Sequence, residues 1–213
     1  MRLLGLDPGF SLTRSCALAT LTLDGPRIIG VSVRSIARAR GASRADTLSK
    51  IRQALTEEAP DLLVVEDQTG PAVGAQARGQ WGASNLGVLL VQGLAHGIGC
   101  PVLELAATTI KARVAGAGNA AKGTVETAVR MRLRRAGIEL PERLTSHQAD
   151  AIAIALAGEP AARLGGLAAR AKARTRQGST SEASESSDRR PRVESRLEDT
   201  VSTGFDLARG ARA

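Results

Sequence analysis

The sequence predicts an α/β domain: five short strands, the first three an antiparallel meander, with helices interleaved from the third strand onward and a polar tail at the end. Three observations predict it. Apolar runs of strand length open the chain and are separated by turn residues. The apolar spacing then lengthens to the helical three-to-four period. After Pro60, short apolar strands alternate with helical segments.

The first strand runs through Leu3, Leu4 and Leu6, with Gly5 allowing close approach of a neighbour. It delivers Asp7 to its end, where Pro8-Gly9 turns the backbone. Taken alone, Asp7 is equally well an ordinary turn-initiating residue. Ser15 to Leu21 makes the second strand, broken by Asp24-Gly25-Pro26, and Arg27 to Ser35 the third. From Ser43 to Glu58, Leu48, Ile51 and Leu55 recur at helical spacing, with Ser43 a suitable N-cap. Pro60-Asp61 ends that helix. Leu62 to Val65 is a fourth strand carrying Glu66 at its end, the same construction as Leu3 to Asp7. If the two strands are sheet neighbours, their acids stand side by side; by itself Glu66 is also a plain strand-end surface charge.

Gly70 to Gly82 is rich in glycine and polar residues and is expected to form a mobile loop carrying Arg78 and Trp81. A cation and an aromatic there could probe a substrate, or Trp81 could simply anchor the next helix. That helix, Ala83 to Gly97, is mostly apolar, with His96 a surface or capping residue near its end. Pro101 to Leu105 makes the fifth strand and Thr108 to Arg113 a short helix. The glycine-rich turn from Gly116 leads into an amphipathic helix from Lys122 to Arg135. It is not a P-loop, because Gly-Lys-Ser/Thr at the required spacing is missing. Lys111, Lys122 and free backbone N–H groups at a helix start nevertheless favour a phosphate. Arg130, Arg132, Arg134 and Arg135 read mainly as a solvated face. Thr145 and Gln148 make a capping box that opens the last helix. His147 and Asp150 lie on one face of its first turns. They could merely decorate the helix; joined to the two strand-end acids, they could surround a divalent cation.

The chain has 213 residues, of which 43% are hydrophobic, enough for one core domain and an appendage. Trp81, Phe10 and Phe205 are the only aromatics, which argues against a surface that stacks many bases. A net charge of +8 favours a polyanionic partner, nucleic acid before membrane. In the tail, residues 173–213, arginines nearly cancel acids and large apolar residues are almost absent, so it is expected to be disordered. The basic surface then belongs to the folded part, residues 1–172. Cys16 and Cys100 form no metal or redox pattern and read as small buried side chains. With no leader-like segment and no apolar stretch of bilayer length, a cytoplasmic protein is expected, without a membrane partner.

An acid after strand one, an acid after strand four and His-x-x-Asp on a late helix, in that order, resemble the RuvC family of Holliday junction resolvases, within the ribonuclease-H-like superfamily. Four blocks carry the resemblance: Leu-Gly-Leu-Asp-Pro-Gly at 4–9, Val-Val-Glu-Asp-Gln at 64–68, the segment from Ile110 to Lys122, and His-Gln-Ala-Asp-Ala-Ile-Ala-Ile-Ala at 147–155. The resemblance implies a five-stranded mixed sheet, its first three strands antiparallel, flanked by helices. It implies a metal-dependent endodeoxyribonuclease that cuts four-way junctions by paired symmetric nicks in recombination and repair. Asp7, Glu66, His147 and Asp150 would be both catalytic and metal-binding, holding two Mg²⁺ ions, with Mn²⁺ as a substitute; some members carry Asp where His147 stands. Lys111 and Lys122 match lysines that contact the DNA backbone, and Arg78, Trp81 and Arg113 are further candidate DNA contacts. A homodimer is implied, with the Ala83–Gly97 helix a candidate for its interface, and a branch-migration helicase complex is a candidate partner.

The chain also departs from the family pattern. Asp67, Gln68 and Thr69 follow Glu66 where many relatives carry an aromatic, and Trp81 is the candidate replacement. Thr13-Arg14-Ser15 replaces a glycine-rich turn. These differences leave open a phage-type nuclease of branched DNA and a non-catalytic junction-binding protein of the same fold. A hydrolase of RNA–DNA hybrids and an actin-like phosphotransferase rank behind, the latter because it needs further glycine-rich phosphate loops.

Overall fold

A computed structural model of the chain describes residues 1–8, 16–37, 43–67 and 75–182; for 75–85 and 166–182 the description is of the backbone. The chain divides into two compact units, Met1–Arg170 and Ala171–Ala213. The first contains a five-stranded sheet built from β1 (Arg2–Asp7), β2 (Cys16–Asp24), β3 (Arg27–Ile36), β4 (Leu62–Asp67) and β5 (Val102–Ala106). Its order is β3-β2-β1-β4-β5. β1, β2 and β3 pair antiparallel, while β1–β4 and β4–β5 pair parallel. The expected mixed sheet and its antiparallel opening are therefore present. Gly25, at φ +53°, makes the tight turn between β2 and β3 that a side chain would strain.

Helices cover both faces. On one side lie α1 (Arg44–Glu58) and α2 (Ala75–Gly97). Ser43 caps α1 as expected, its hydroxyl accepting from the Asp46 N–H while the Asp46 carboxylate accepts from the Ser43 N–H. Ile51, Ala54 and Leu55 of α1 meet Val88, Val91 and Ala95 of α2 over Leu4, Leu6, Leu63 and Val65. On the other side lie α3 (Ala107–Ala115), α4 (Lys122–Arg135) and α5 (Ser146–Glu182). Residues 151–157 of α5 are buried on every side, as a helix apolar all round must be. Val125, Val129 and Leu133, one turn apart along α4, pack into the same cluster as these residues. Cys16 and Cys100 are free and buried, as their apolar surroundings suggested.

Two expectations need correction. The segment read as a loop to Gly82 is helical from Ala75, so Arg78 and Trp81 belong to α2. Gly79 and Gly82 lower helix propensity by about 1 kcal/mol each relative to alanine, but six of the other residues from Ala75 to Ala83 are ordinary helix formers. The segment 68–74, which holds the rest of that expected loop, lies outside the described residues. At the other end, α5 continues to Glu182, so the start expected for a disordered tail, residue 173, falls within a helix. Low apolar content does not forbid a helix, and alanine, arginine and lysine have high helix propensity. Residues 183–213 lie outside the description.

Candidate active site at the strand ends

The pleat decides which side chains meet. In β1, Leu4 and Leu6 join the core under α1 and α2, while Leu3 and Gly5 face α5. By the same alternation Asp7 ends β1 on the α5 side. β4 repeats the pattern: Leu63 and Val65 go with Leu4 and Leu6, and Val64 with Leu3, so Glu66 falls on Asp7's face. The parallel register places Leu6 beside Val65, which makes Asp7 and Glu66 the next residues of adjacent strands.

α5 comes down on this pair because small residues let it. A Cβ on Gly5 would lie 2.3 Å from the Ala151 carbonyl oxygen and 2.5 Å from the Ala155 nitrogen. A Cβ on Gly158 would lie 2.4 Å from Val64 Cγ2. Thr145 and Gln148 cap the helix reciprocally, the Thr145 N–H donating to Gln148 Oε1 at 2.9 Å and the Gln148 N–H to Thr145 Oγ1 at 3.2 Å. The first turn of α5 thus holds His147 and Asp150 over the ends of β1 and β4.

His147 Nδ1 is 2.6 Å from Asp7 Oδ2. An ionised carboxylate can only accept, so Nδ1–H donates and the contact turns Nε2 away from Asp7. Lys122 Nζ donates to Asp150 Oδ2 at 2.8 Å. Glu66 is pushed up to about 7, first by burial and then by the negative charges of Asp7 and Asp150, with Lys111 and Lys122 pulling against them. Lys122 is in turn held above its ordinary value, chiefly by its bond to Asp150, with Asp7 and Glu66 adding their charge. The four predicted site residues and both lysines therefore share one electrostatic neighbourhood.

The donor set suits a hard cation: three carboxylates, which offer oxygen, and one imidazole. Burial lifts Glu66 most, and the charges of Asp7 and Asp150 lift it further against the pull of the two lysines. Among the described residues, no three His, Cys, Asp or Glu side chains are gathered closely enough to hold an ion as they stand. Asp7 is engaged with His147 and Asp150 with Lys122, so binding an ion requires these side chains to turn. A cavity of about 970 Å³ opens elsewhere, lined by Met1, Pro26, Leu62, Leu103 and Arg163, away from the acids.

The other predicted contacts separate. Lys111 (α3) and Lys122, the first residue of α4, lie at the site. Arg113 is engaged inside the protein: its Nη1 donates to the Ala157 carbonyl at 2.8 Å. That carbonyl belongs to α5, in the turn before Pro160. Arg78 and Trp81 are placed only as backbone positions of α2. Sequence reading missed the buried Glu159, which accepts from Arg132 of α4 and Arg163 of α5. Arg132 and Glu159 come from different elements, so no sequence spacing announces the pair. Gly158, one residue away, marks the close contact of α5 with Val64.

A model of the family described as crossover junction endodeoxyribonuclease RuvC matches residues 3–158, more than half of the chain. The chain belongs to the RuvC family. Among its relatives, the RuvC of Methylorubrum populi is 32% identical over 160 residues, covering 73% of this chain and 78% of the relative. That of Syntrophotalea carbinolica is 32% identical over 162 residues, covering 73% and 92%. In three dimensions the chain is similar to Thermus thermophilus RuvC in complex with Holliday junction substrate, with a TM-score of 0.57 and 27% identity over 78% of this chain and 96% of the other. RuvC proteins are metal-dependent nucleases, and the RuvC fold is ribonuclease-H-like. The enzyme class that goes with this membership is crossover junction endodeoxyribonuclease.

Proposed function

We propose that this RuvC-family chain resolves Holliday junctions in the cytoplasm by paired symmetric nicks, with Asp7, Glu66, His147 and Asp150 as its catalytic centre. The observation that carries the reading is the approach of these four side chains around the ends of β1 and β4, where burial and the neighbouring acids raise Glu66 to about 7. Asp7, Glu66 and Asp150 would hold two Mg²⁺ ions, or Mn²⁺ in their place. When bound, such ions supply Lewis acidity at both the attacking and the leaving oxygen of a phosphodiester. His147, held by Asp7 through Nδ1, presents Nε2 to orient the attacking water. Lys111 and Lys122 contact phosphates, which positions the duplex without reading its sequence.

Two symmetric cuts need two centres, so we infer a homodimer whose axis coincides with that of the junction. Support comes from α2, where Leu86, Leu89 and Leu90 are exposed on an otherwise apolar helix. Arg78 and Trp81, on the same helix, are the candidates for contacts near the junction centre. A branch-migration helicase complex is the partner this activity would serve.

The test is a substrate panel in Mg²⁺: a mobile four-way junction, a fork, linear duplex and an RNA–DNA hybrid, with oligomeric state measured by light scattering. Paired cuts in the junction alone by a dimer are expected. Equal cutting of forks would redirect the reading to a general branched-DNA nuclease. Junction binding without cutting in either metal would leave a binding protein.

A further inference from the structure

We propose that Lys122 is a latch: without a divalent cation it holds Asp150, and cation binding releases it to a DNA phosphate, so that metal and DNA bind cooperatively through this one side chain. The inference rests on the reading of the acids as metal ligands.

The geometry carries it. Lys122 Nζ sits 2.8 Å from Asp150 Oδ2, so its charge occupies one side of a carboxylate proposed to take the metal ion. The lysine side chain is 69% exposed and the aspartate 29%, so the pair lies at the mouth of the site, where an ion pair is weak. A divalent ion offers Asp150 twice the charge and can displace the ammonium. Lys122 begins α4, and its flexible four-carbon stem lets the charge swing without moving the helix. Once displaced, the ammonium is repelled by the ion that replaced it, and a backbone phosphate is the anion a DNA substrate presents there. Lys111 is the natural control. It acts on Glu66 through charge but makes no ion pair among the described residues.

Linkage makes the effect reciprocal: whatever metal does for DNA affinity, DNA does for metal affinity. Junction binding should be measured by fluorescence anisotropy at fixed ionic strength, in Ca²⁺ and in chelator, for wild type, Lys122→Met and Lys111→Met. Losing a charge-assisted phosphate contact should weaken Lys122→Met about tenfold in Ca²⁺ and less than about twofold in chelator. Lys111→Met should weaken binding by the same factor in both. Calorimetric titration with Mn²⁺, without DNA, should show Lys122→Met binding the ion about threefold more tightly than Lys111→Met does. Equal weakening of Lys122→Met in Ca²⁺ and chelator, or equal Mn²⁺ affinities for the two lysine variants, overturns the latch while leaving the site intact. Mn²⁺ that fails to bind wild type, or binds Asp7→Asn just as well, overturns the site assignment and the latch with it.

Discussion

Two acids on the same helix meet opposite fates. Glu159 is almost fully buried and lies between Arg132 and Arg163, two cations for one carboxylate. Near the start of α5, Asp150 shares its neighbourhood with Asp7 and Glu66, and among the described residues only Lys122 is bonded to it. The first cluster supplies its own countercharge and needs nothing further. The second gathers three acids against fewer cations, and Glu66, raised first by burial and then by Asp7 and Asp150, holds its proton to about pH 7. Burial alone does not separate the structural acid from those proposed as catalytic. The charge balance around each of them does.

The comparison can be broken at either cluster, and the largest effect should come at the site. Glu66→Gln removes a proposed metal ligand and should lower single-turnover junction cleavage about a thousandfold, the equivalent of some 4 kcal/mol of lost transition-state stabilisation. The same change relieves repulsion, so the chelated variant should be no less stable than wild type at pH 8 in urea unfolding. Glu159→Gln should do the reverse. It leaves two guanidinium groups facing each other around a buried amide and should cost about 3 kcal/mol, at the low end for a broken buried pair because both arginines are more than a third exposed. The urea midpoint should fall, while the folded fraction still cuts.

Next in size is the pH dependence. Glu66 is raised from 4.5 to about 7, so between those values the folded protein binds a proton that the unfolded chain has released. Stability of the metal-free protein should therefore decline as pH rises through that window, by about 2–3 kcal/mol from this group. Denaturation in chelator from pH 5 to 8 would show the slope, and Glu66→Gln should flatten it. Smallest is Glu126→Gln, which breaks a surface pair with Arg130 one turn away. Arg130 keeps its bonds to the Pro141 and Glu142 carbonyls, so the loss should stay under about 0.5 kcal/mol by the same unfolding measurement.

Much of this arrangement was legible in the chain. Alternation along Leu3–Asp7 and Leu62–Glu66 is a local signal, and it places each acid at a strand end. The capping box at Thr145 fixes where α5 starts, hence which turn carries His147 and Asp150. Signals that depend on distant partners were silent. Arg113 looks like a basic residue beside a phosphate site, yet it serves a carbonyl upstream of Pro160, a partner 44 positions away. Gly79 and Gly82 suggested a loop where α2 already runs, because the helix formers around them outweigh two glycines. The helix past residue 172 was hidden by a composition that lacks large apolar residues but suits a helical backbone.

The most direct test of the central claim is cleavage of a mobile four-way junction, with protein in excess, by wild type and Asp7→Asn in Mg²⁺ and in chelator. Paired nicks at symmetric positions that require both the metal and Asp7 are the predicted result. Cutting that persists in chelator, or that Asp7→Asn retains, would contradict the assignment of these acids as the nuclease centre.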